Sequence, residues 1–203
     1  MVKSKKNILQ QLKEEEKQKK KNLIIDAAIS IFGKKTAEEI HLKDIAEELG
    51  ISVPTIYQYF ESRDDLFMGI FNQEILGIVK YIDKKMKAEN ENSLEAITKH
   101  LVNYFIKNQG GFKIITYFLV KDNVSIEVLK KTKKTISKFL PIIEDGFKSL
   151  EIEEDPLMLV HSLLGTIAGG MLVYKNYPNF DKKNAHKIIY SLANLKVKTF
   201  KNK

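Results

Sequence analysis

The chain has 203 residues, with 34 Lys and Arg against 26 Asp and Glu, a formal charge of +8, a pI near 9.3 and 43% hydrophobic residues. It has no Cys, which excludes a disulfide framework, a thiolate nucleophile and a cysteine metal site. No apolar run approaches the ~18 residues that span a bilayer, and no apolar signal segment follows the charged start, so a cytoplasmic protein without a membrane partner is expected.

Charge is unevenly spread. Residues 1–21 hold eight Lys and three Glu, a balance of +5, and residues 22–66 hold four basic and nine acidic residues, a balance of −5. Residues 67–203 hold 22 basic and 14 acidic residues, a balance of +8. In the Lys-rich extension 1–21, Ile8, Leu9 and Leu12 interrupt the lysines, so it reads either as a frayed solubilising segment or as added helical turns. Leu23, Ile24, Ala27, Ala28, Ile31 and Phe32 then predict an amphipathic helix ending near Gly33.

Asp44–Phe60 reads as two short helices joined by a glycine turn. Ile45 and Leu49 share one face, and Ala46 admits a second helix closely. Gly50 supplies the left-handed backbone that ends the first helix, and Ile51 fills the space between the two. Ser52 caps the second helix and Pro54 lies in its first turn, where a missing N–H costs little. At about 100° per residue, Ile56 and Phe60 form the buried stripe. Pro54, Thr55, Tyr57, Gln58 and Tyr59 are left to an outward face that bears hydrogen-bonding groups but no charge, suited to base edges and phosphates. An ordinary helical hairpin has the same spacing.

Further on, Ser62-Arg63-Asp64-Asp65 resembles a capping arrangement, followed by Leu66, Phe67, Ile70, Phe71, Ile75, Ile78, Val79 and Ile82. The chain here resembles the TetR (tetracycline-repressor) family of bacterial transcription regulators. Ile25-Asp26-Ala27-Ala28 with Phe32, Asp44-Ile45-Ala46, Gly50-Ile51-Ser52, Thr55-Ile56-Tyr57, Tyr59-Phe60 and Ser62-Arg63 with Leu66 carry the resemblance. It implies an all-α protein: a helix-turn-helix DNA-binding domain at 22–66 and a helical effector-binding and dimerisation domain at 67–203. It also implies a dimer on a near-palindromic operator, most simply a repressor released by a small hydrophobic effector, with no cofactor and no enzymatic activity.

The candidate DNA contacts are His41, Lys43, Ser52, Val53, Pro54, Thr55, Tyr57, Gln58, Tyr59 and Arg63. Gln58 is expected to read a base, with Ser52 and Arg63 on the backbone. Departures from the family pattern are Thr36-Ala37 in place of Gly and an aromatic, and His41 in place of Thr or Ser. His41 is either a phosphate contact or a plain cap. Val53-Pro54 in place of Lys-Gly removes one cation from the recognition helix. Because the reading unit is acidic by count, Lys17, Lys19, Lys20 and Lys21 are expected to track phosphates or the adjacent minor groove.

Beyond residue 66 the pattern remains helical. A fourth helix gives way around residues 89–93, and Ser93 caps the next, which carries Leu94, Ile97, Leu101, Tyr104 and Phe105 and is stopped by Gly110-Gly111. A short apolar element spans 112–120. A helix from about 125 to 150 contains Pro141, which should bend or break it. Asp155-Pro156 starts a helix that reaches about Tyr174, and the last begins near Asp181. The helices at about 155–175 and 181–200 are the expected dimer-forming pair. The first is apolar on too many sides for a surface helix, and Gly165 and Gly169 each cost about 1 kcal/mol unless close helix approach offsets them.

Candidate effector contacts are His100, Tyr104, Tyr117, Asn123, Ser162, Thr166 and Tyr174, polar or amphipathic groups in apolar stretches that also read as satisfied core residues. An enzyme is disfavoured: His41, His100, His161 and His186 lack metal-ligand spacing, and there is no phosphate loop or nucleophile elbow. An architectural protein that binds many DNA sites without an inducer is the remaining alternative.

Overall fold

The computed structural model describes residues 2–35, 39–91, 93–121, 126–148, 150, 152, 154–175 and 182–201. Among them every regular element is an α-helix: α1 Val2–Phe32, α2 Leu42–Leu49, α3 Val53–Tyr57, α4 Arg63–Glu89, α5 Leu94–Lys107, α6 Gln109–Val120, α7 Ile126–Phe147, α8 Pro156–Lys175 and α9 Lys182–Lys201. They form two compact units, one of Met1–Asn72 with Gly110–Val128, the other of Gln73–Gln109 with Leu129–Lys203.

In the first unit, α1 is far longer than its apolar pattern alone predicts. Residues 2–21 continue the helix without a break, favoured by a run of Lys, Glu, Gln and Leu with high helix propensity. Glu16 and Lys20 pair at 2.7 Å across one turn, and Gln18 Nε2 donates to Asn22 Oδ1 at 2.9 Å. Ile24, Ile25, Ala28, Ile31 and Phe32 turn into the core, whereas Ile8, Leu9, Leu12 and Leu23 stay exposed. Phe32 meets Phe67 edge-on at 4.8 Å, Phe67 meets Tyr117 at 5.5 Å, and Phe71 meets Phe118 at 5.7 Å.

Two of those partners come from α6, which no sequence pattern links to α1–α4. Gly110 explains the approach. A Cβ there would lie 3.0 Å from the Ile29 carbonyl oxygen and 3.3 Å from the Gly33 nitrogen, so only glycine lets α6 come this close. Gly110-Gly111 therefore do not stop a helix; they form the first turn of α6, and α5 ends at Asn108, whose N–H donates to the Tyr104 carbonyl at 2.8 Å.

In the second unit, Ser93 caps α5 by accepting from the Ala96 N–H at 3.2 Å. α9 packs against α5 and α8. Its ring of Phe200 meets Phe147 of α7 at 5.1 Å, and His186 Nε2 hydrogen-bonds Asn103 Oδ1 at 3.0 Å. Pro141 does not break α7, which runs through it; the proline is exposed while Phe139, Ile143 and Phe147 anchor the helix on the buried side. α8 begins as expected at Pro156, with Asp155 Oδ1 accepting from the Leu157 N–H at 2.9 Å.

One expectation about α8 needs correction. Pro156–Tyr174 is a helical stretch of 19 residues with mean hydropathy 1.7, long and apolar enough by length and composition to cross a bilayer. Ser162, Thr166, His161 and the glycines interrupt its apolar run in the linear sequence and hide this. Leu159, Val160, Leu163, Ile167, Gly170 and Met171 are buried within the unit. Met158, His161, Gly165, Gly169, Leu172 and Val173 form a second, exposed stripe at helical spacing.

Candidate nucleic-acid interface

The α2–α3 turn is built from local chemistry. Gly50 has φ 63° and ψ 31°, the left-handed conformation that costs an L-residue strain. The Ile51 N–H then donates to the Ala46 carbonyl at 2.9 Å and the Gly50 N–H to that of Glu47 at 3.2 Å, closing the end of α2. At the other end of α2, Asp44 Oδ2 accepts from the His41 N–H at 2.8 Å and Oδ1 from Lys35 Nζ at 3.0 Å. Those two donors, the backbone one first, hold the Asp44 carboxyl below the usual carboxylate range. His41 is exposed at the cap position, so the geometry accommodates both roles considered for it.

Ser52 caps α3: its Oγ accepts from the Thr55 N–H at 3.3 Å and lies 2.8 Å from Thr55 Oγ1. Ile56 is fully buried and Phe60 nearly so, which fixes the rotation of α3 as its spacing predicts. Pro54, Tyr57 and Gln58 are exposed; Val53, Thr55 and Tyr59 are half-buried. Tyr57 has 52% of its surface open, a large aromatic left uncovered by its own unit. The helix is short. After Tyr57 the chain tightens, with the Tyr59 and Phe60 N–H groups both donating to the Ile56 carbonyl at 2.9 and 3.1 Å.

The two predicted cations behave differently. Lys43 is exposed and lies 3.5 Å from Glu47 one turn on. Arg63 opens α4 with its guanidinium carbon 4.7 Å from the Phe67 ring centroid and its Nε buried, so its hydrophobic contact is made within the unit.

The candidate effector residues divide between the two units. Tyr117 belongs to α6 in the first unit, where its hydroxyl lies 3.4 Å from Asp64 Oδ1 and 2.9 Å from Lys121 Nζ; Lys121 also pairs with Asp64 at 2.6 Å. It thus ties α6 to the start of α4 within the first unit. His100 and Tyr104 do come together, on the face of α5 that meets Tyr81 of α4, at ring distances of 6.2 and 5.5 Å. Buried His100 reaches Glu89 Oε2 through Nε2 at 3.2 Å, and its buried Nδ1 has no hydrogen-bond partner. Tyr104 donates to Glu74 Oε2 at 3.1 Å in the core. Burial pushes the Glu74 carboxyl up against the opposing pull of that hydroxyl, and burial with the Glu74 charge pushes the Tyr104 hydroxyl above its ordinary range. Glu74 and Tyr81 are the companions that sequence reasoning missed. Their signal was available: both interrupt the apolar run of α4 seven residues apart, on one face.

Ser162 and Thr166 of α8 are half-buried, and the Thr166 hydroxyl donates back to the Ser162 carbonyl at 2.9 Å. Tyr174 is half-buried near the end of α8. Asn123, Thr36-Ala37 and Asp181 lie outside the described residues. Among the described residues, no group of three or more His, Asp or Glu is arranged to hold a metal ion.

Comparison with known proteins follows the same division of the chain. Residues 24–70 match the family model for bacterial regulatory proteins of the tetR family. Within those residues the chain carries the DNA-binding domain of that family. The fatty acid metabolism regulator protein of Bacillus subtilis is 23% identical over 153 residues, covering 71% of this chain and 77% of that protein. The transcriptional activator FasR of Mycolicibacterium smegmatis is 20% identical over 94 residues, 45% of this chain and 43% of FasR. The crystal structure of Bacillus subtilis FadR with stearoyl-CoA superposes with a TM-score of 0.67 at 17% identity, over 86% of this chain and 96% of that one. The chain shares the fold of these regulators, an N-terminal helix-turn-helix domain followed by a C-terminal helical domain.

Proposed function

We propose that the chain is a cytoplasmic repressor that binds a near-palindromic operator as a homodimer and leaves it when a long-chain acyl thioester binds the C-terminal helices. The observation that carries this reading is the outward face of α3. Tyr57, Gln58 and Pro54 are exposed on a helix rotated by buried Ile56 and Phe60, in a unit matched by the family's DNA-binding model. Gln58 has the paired donor and acceptor that read adenine, and Tyr57 reaches far enough for a phosphate.

Dimerisation through α8 and α9 is supported by the exposed α8 stripe. A Cβ on Gly165 or Gly169 would meet nothing within 4 Å inside the protomer, so packing within the chain does not account for these helix-weakening residues. A second copy seated there would bury Met158, Leu172 and Val173 and place two α3 helices on one duplex. The acyl class of effector is supported by the likeness to the fatty acid metabolism regulator and by the stearoyl-CoA held in FadR. The mainly apolar buried interior of the C-terminal unit suits such a chain.

The test selects duplexes from a random library with the full chain and then footprints the winner with and without stearoyl-CoA. One protected near-palindrome, released by the thioester, is the expected outcome. Protection scattered over many sequences would replace the operator-specific reading with an architectural one. Transcription from a promoter bearing the footprint should fall with added protein; a rise would make the chain an activator.

A further inference from the structure

We infer that the α1 extension is a second DNA-contacting element, whose Lys13–Lys17–Lys21 face runs along the phosphate backbone beside the site read by α3. This rests on the DNA-binding reading above and adds to it a surface that the family model, which begins at residue 24, does not contain.

The argument begins with a deficit. Phosphate neutralisation with counterion release supplies most sequence-independent affinity for DNA, and residues 22–66 carry −5. The cations held by these residues and by the α6 segment of the same unit are largely committed. Lys35 pairs with Asp44 at 3.0 Å, Lys43 lies 3.5 Å from Glu47, Lys121 pairs with Asp64, and Lys113 Nζ donates to the Lys35 carbonyl at 3.1 Å. The outward face of α3 has no charge at all. Charge for the backbone has to come from elsewhere, and the extension holds a balance of +5.

The helix sorts those lysines by face. Lys21 Nζ lies 5.4 Å from the centroid of Phe60, the residue that closes the reading segment, so this side of α1 looks toward the helix-turn-helix. Stepping back at about 100° per residue, Lys17 and Lys13 stay within about 80° of Lys21, and Gln10 within about 20°. Glu14 is the carboxylate on that face. Lys20 lies within about 20° of Lys13 and close to Tyr59, but it is engaged with Glu16 at 2.7 Å; Lys19 projects from the opposite side, among Leu12 and Leu23. At about 1.5 Å per residue, Lys13 and Lys21 are separated by about 12 Å along the axis. A duplex presents roughly seven phosphates over that length. Lys13 and Lys17 are both exposed, and the helix that presents them is continuous with the core of the reading unit. Ordering for DNA therefore costs them little beyond side-chain entropy. The structure thus divides the lysines, keeping Lys17 and Lys21 for the backbone and removing Lys19.

The decisive measurement is the salt dependence of binding to the library-selected duplex, for the full chain and for the K13Q/K17Q and K19Q variants. K13Q/K17Q should flatten the slope of log affinity against log salt by about 2 per bound protomer, at roughly 0.9 per lost phosphate contact, with the preferred sequence unchanged. K19Q should leave the slope as it is. An unchanged slope in K13Q/K17Q overturns the inference while the DNA-binding reading stands. Equal flattening by K19Q overturns it in favour of diffuse charge. If K13Q/K17Q instead loses co-sedimentation with phosphatidylglycerol vesicles at an unaltered DNA slope, the face serves a membrane. A chain that selects no duplex overturns both readings together.

Discussion

α3 and α8 both turn an uncharged face outward, yet the two faces ask for opposite partners. On α3 the exposed groups are the Tyr57 ring with its hydroxyl, the Gln58 amide and Pro54, held in place by Ile56 and Phe60 beneath. Such a face is usable only by a partner that supplies hydrogen bonds, because desolvating an amide without replacing its bonds is costly. On α8 the exposed groups are Met158, Leu172 and Val173 around two glycines, which no hydrogen-bonding partner would reward. An apolar stripe notched by glycine is suited to another helix of the same kind. Absence of charge is therefore not one signal. The polarity of what replaces charge separates a surface for nucleic acid from a surface for protein.

Breaking the α8 side of this contrast should have the largest effect. Gly169→Glu places a carboxylate where the protomer itself offers nothing within 4 Å, so the monomer should fold. In the proposed dimer the same carboxylate would be buried without a partner. Sedimentation should show a monomer, and operator affinity should fall by roughly 10²–10⁴-fold as the second head loses its tethered advantage. A Gly169→Glu chain that remains dimeric would place the interface elsewhere.

The α3 side is tested more gently. Gln58→Ala should relax specificity at one operator position, by about 1–3 kcal/mol if a bidentate adenine contact is lost, with no change in melting temperature. Tyr57→Phe should weaken binding evenly across sequences; a loss confined to one base pair would make Tyr57 a base reader. Smaller again is Gly50→Ala. It meets no clash, so its cost is backbone strain alone, about 1–2 kcal/mol, visible as a lower denaturation midpoint. A neutral result would mean that the turn relaxes to another conformation.

These regions also differ in how far the sequence discloses them. The helix-turn-helix was legible to the residue because its determinants are local: Gly50 for the left-handed turn, Ser52 for the cap, Ile56 and Phe60 four apart for rotation. Nothing local announces that α6 returns to the DNA-reading unit. Gly110 looks like a helix stop when only its neighbours in sequence are considered, and its actual reason is the Ile29 carbonyl 3.0 Å from its missing Cβ. Tyr117 comes to that unit by the same route. The N-terminal half of α1 was ambiguous because a helix of Lys, Glu and Gln lacks the apolar periodicity that marks helices packed in a core. Glu74 was passed over inside an apolar stripe, although a carboxylate there demands a partner, and Tyr104 supplies it.

That carboxylate gives the smallest predicted effect and the one with a sign fixed by pH. Burial raises the Glu74 pKa above its ordinary value, and the Tyr104 hydroxyl only partly opposes this. A carboxyl whose folded pKa is raised favours the folded state below its unfolded pKa, and that advantage is lost as pH rises through the folded value. Above the folded value the folded chain therefore carries the cost of an ionised group in its core. Glu74→Gln removes the charge and keeps an oxygen that accepts from Tyr104, so this variant should unfold at a higher temperature than the parent at pH 8. The gap should close as pH falls below the ordinary carboxylate range, where the parent carboxyl is protonated in both states. Melting curves across that range decide it. A gap that stays constant would mean that burial does not shift Glu74, and one that widens in acid would mean that a favourable partner holds it ionised.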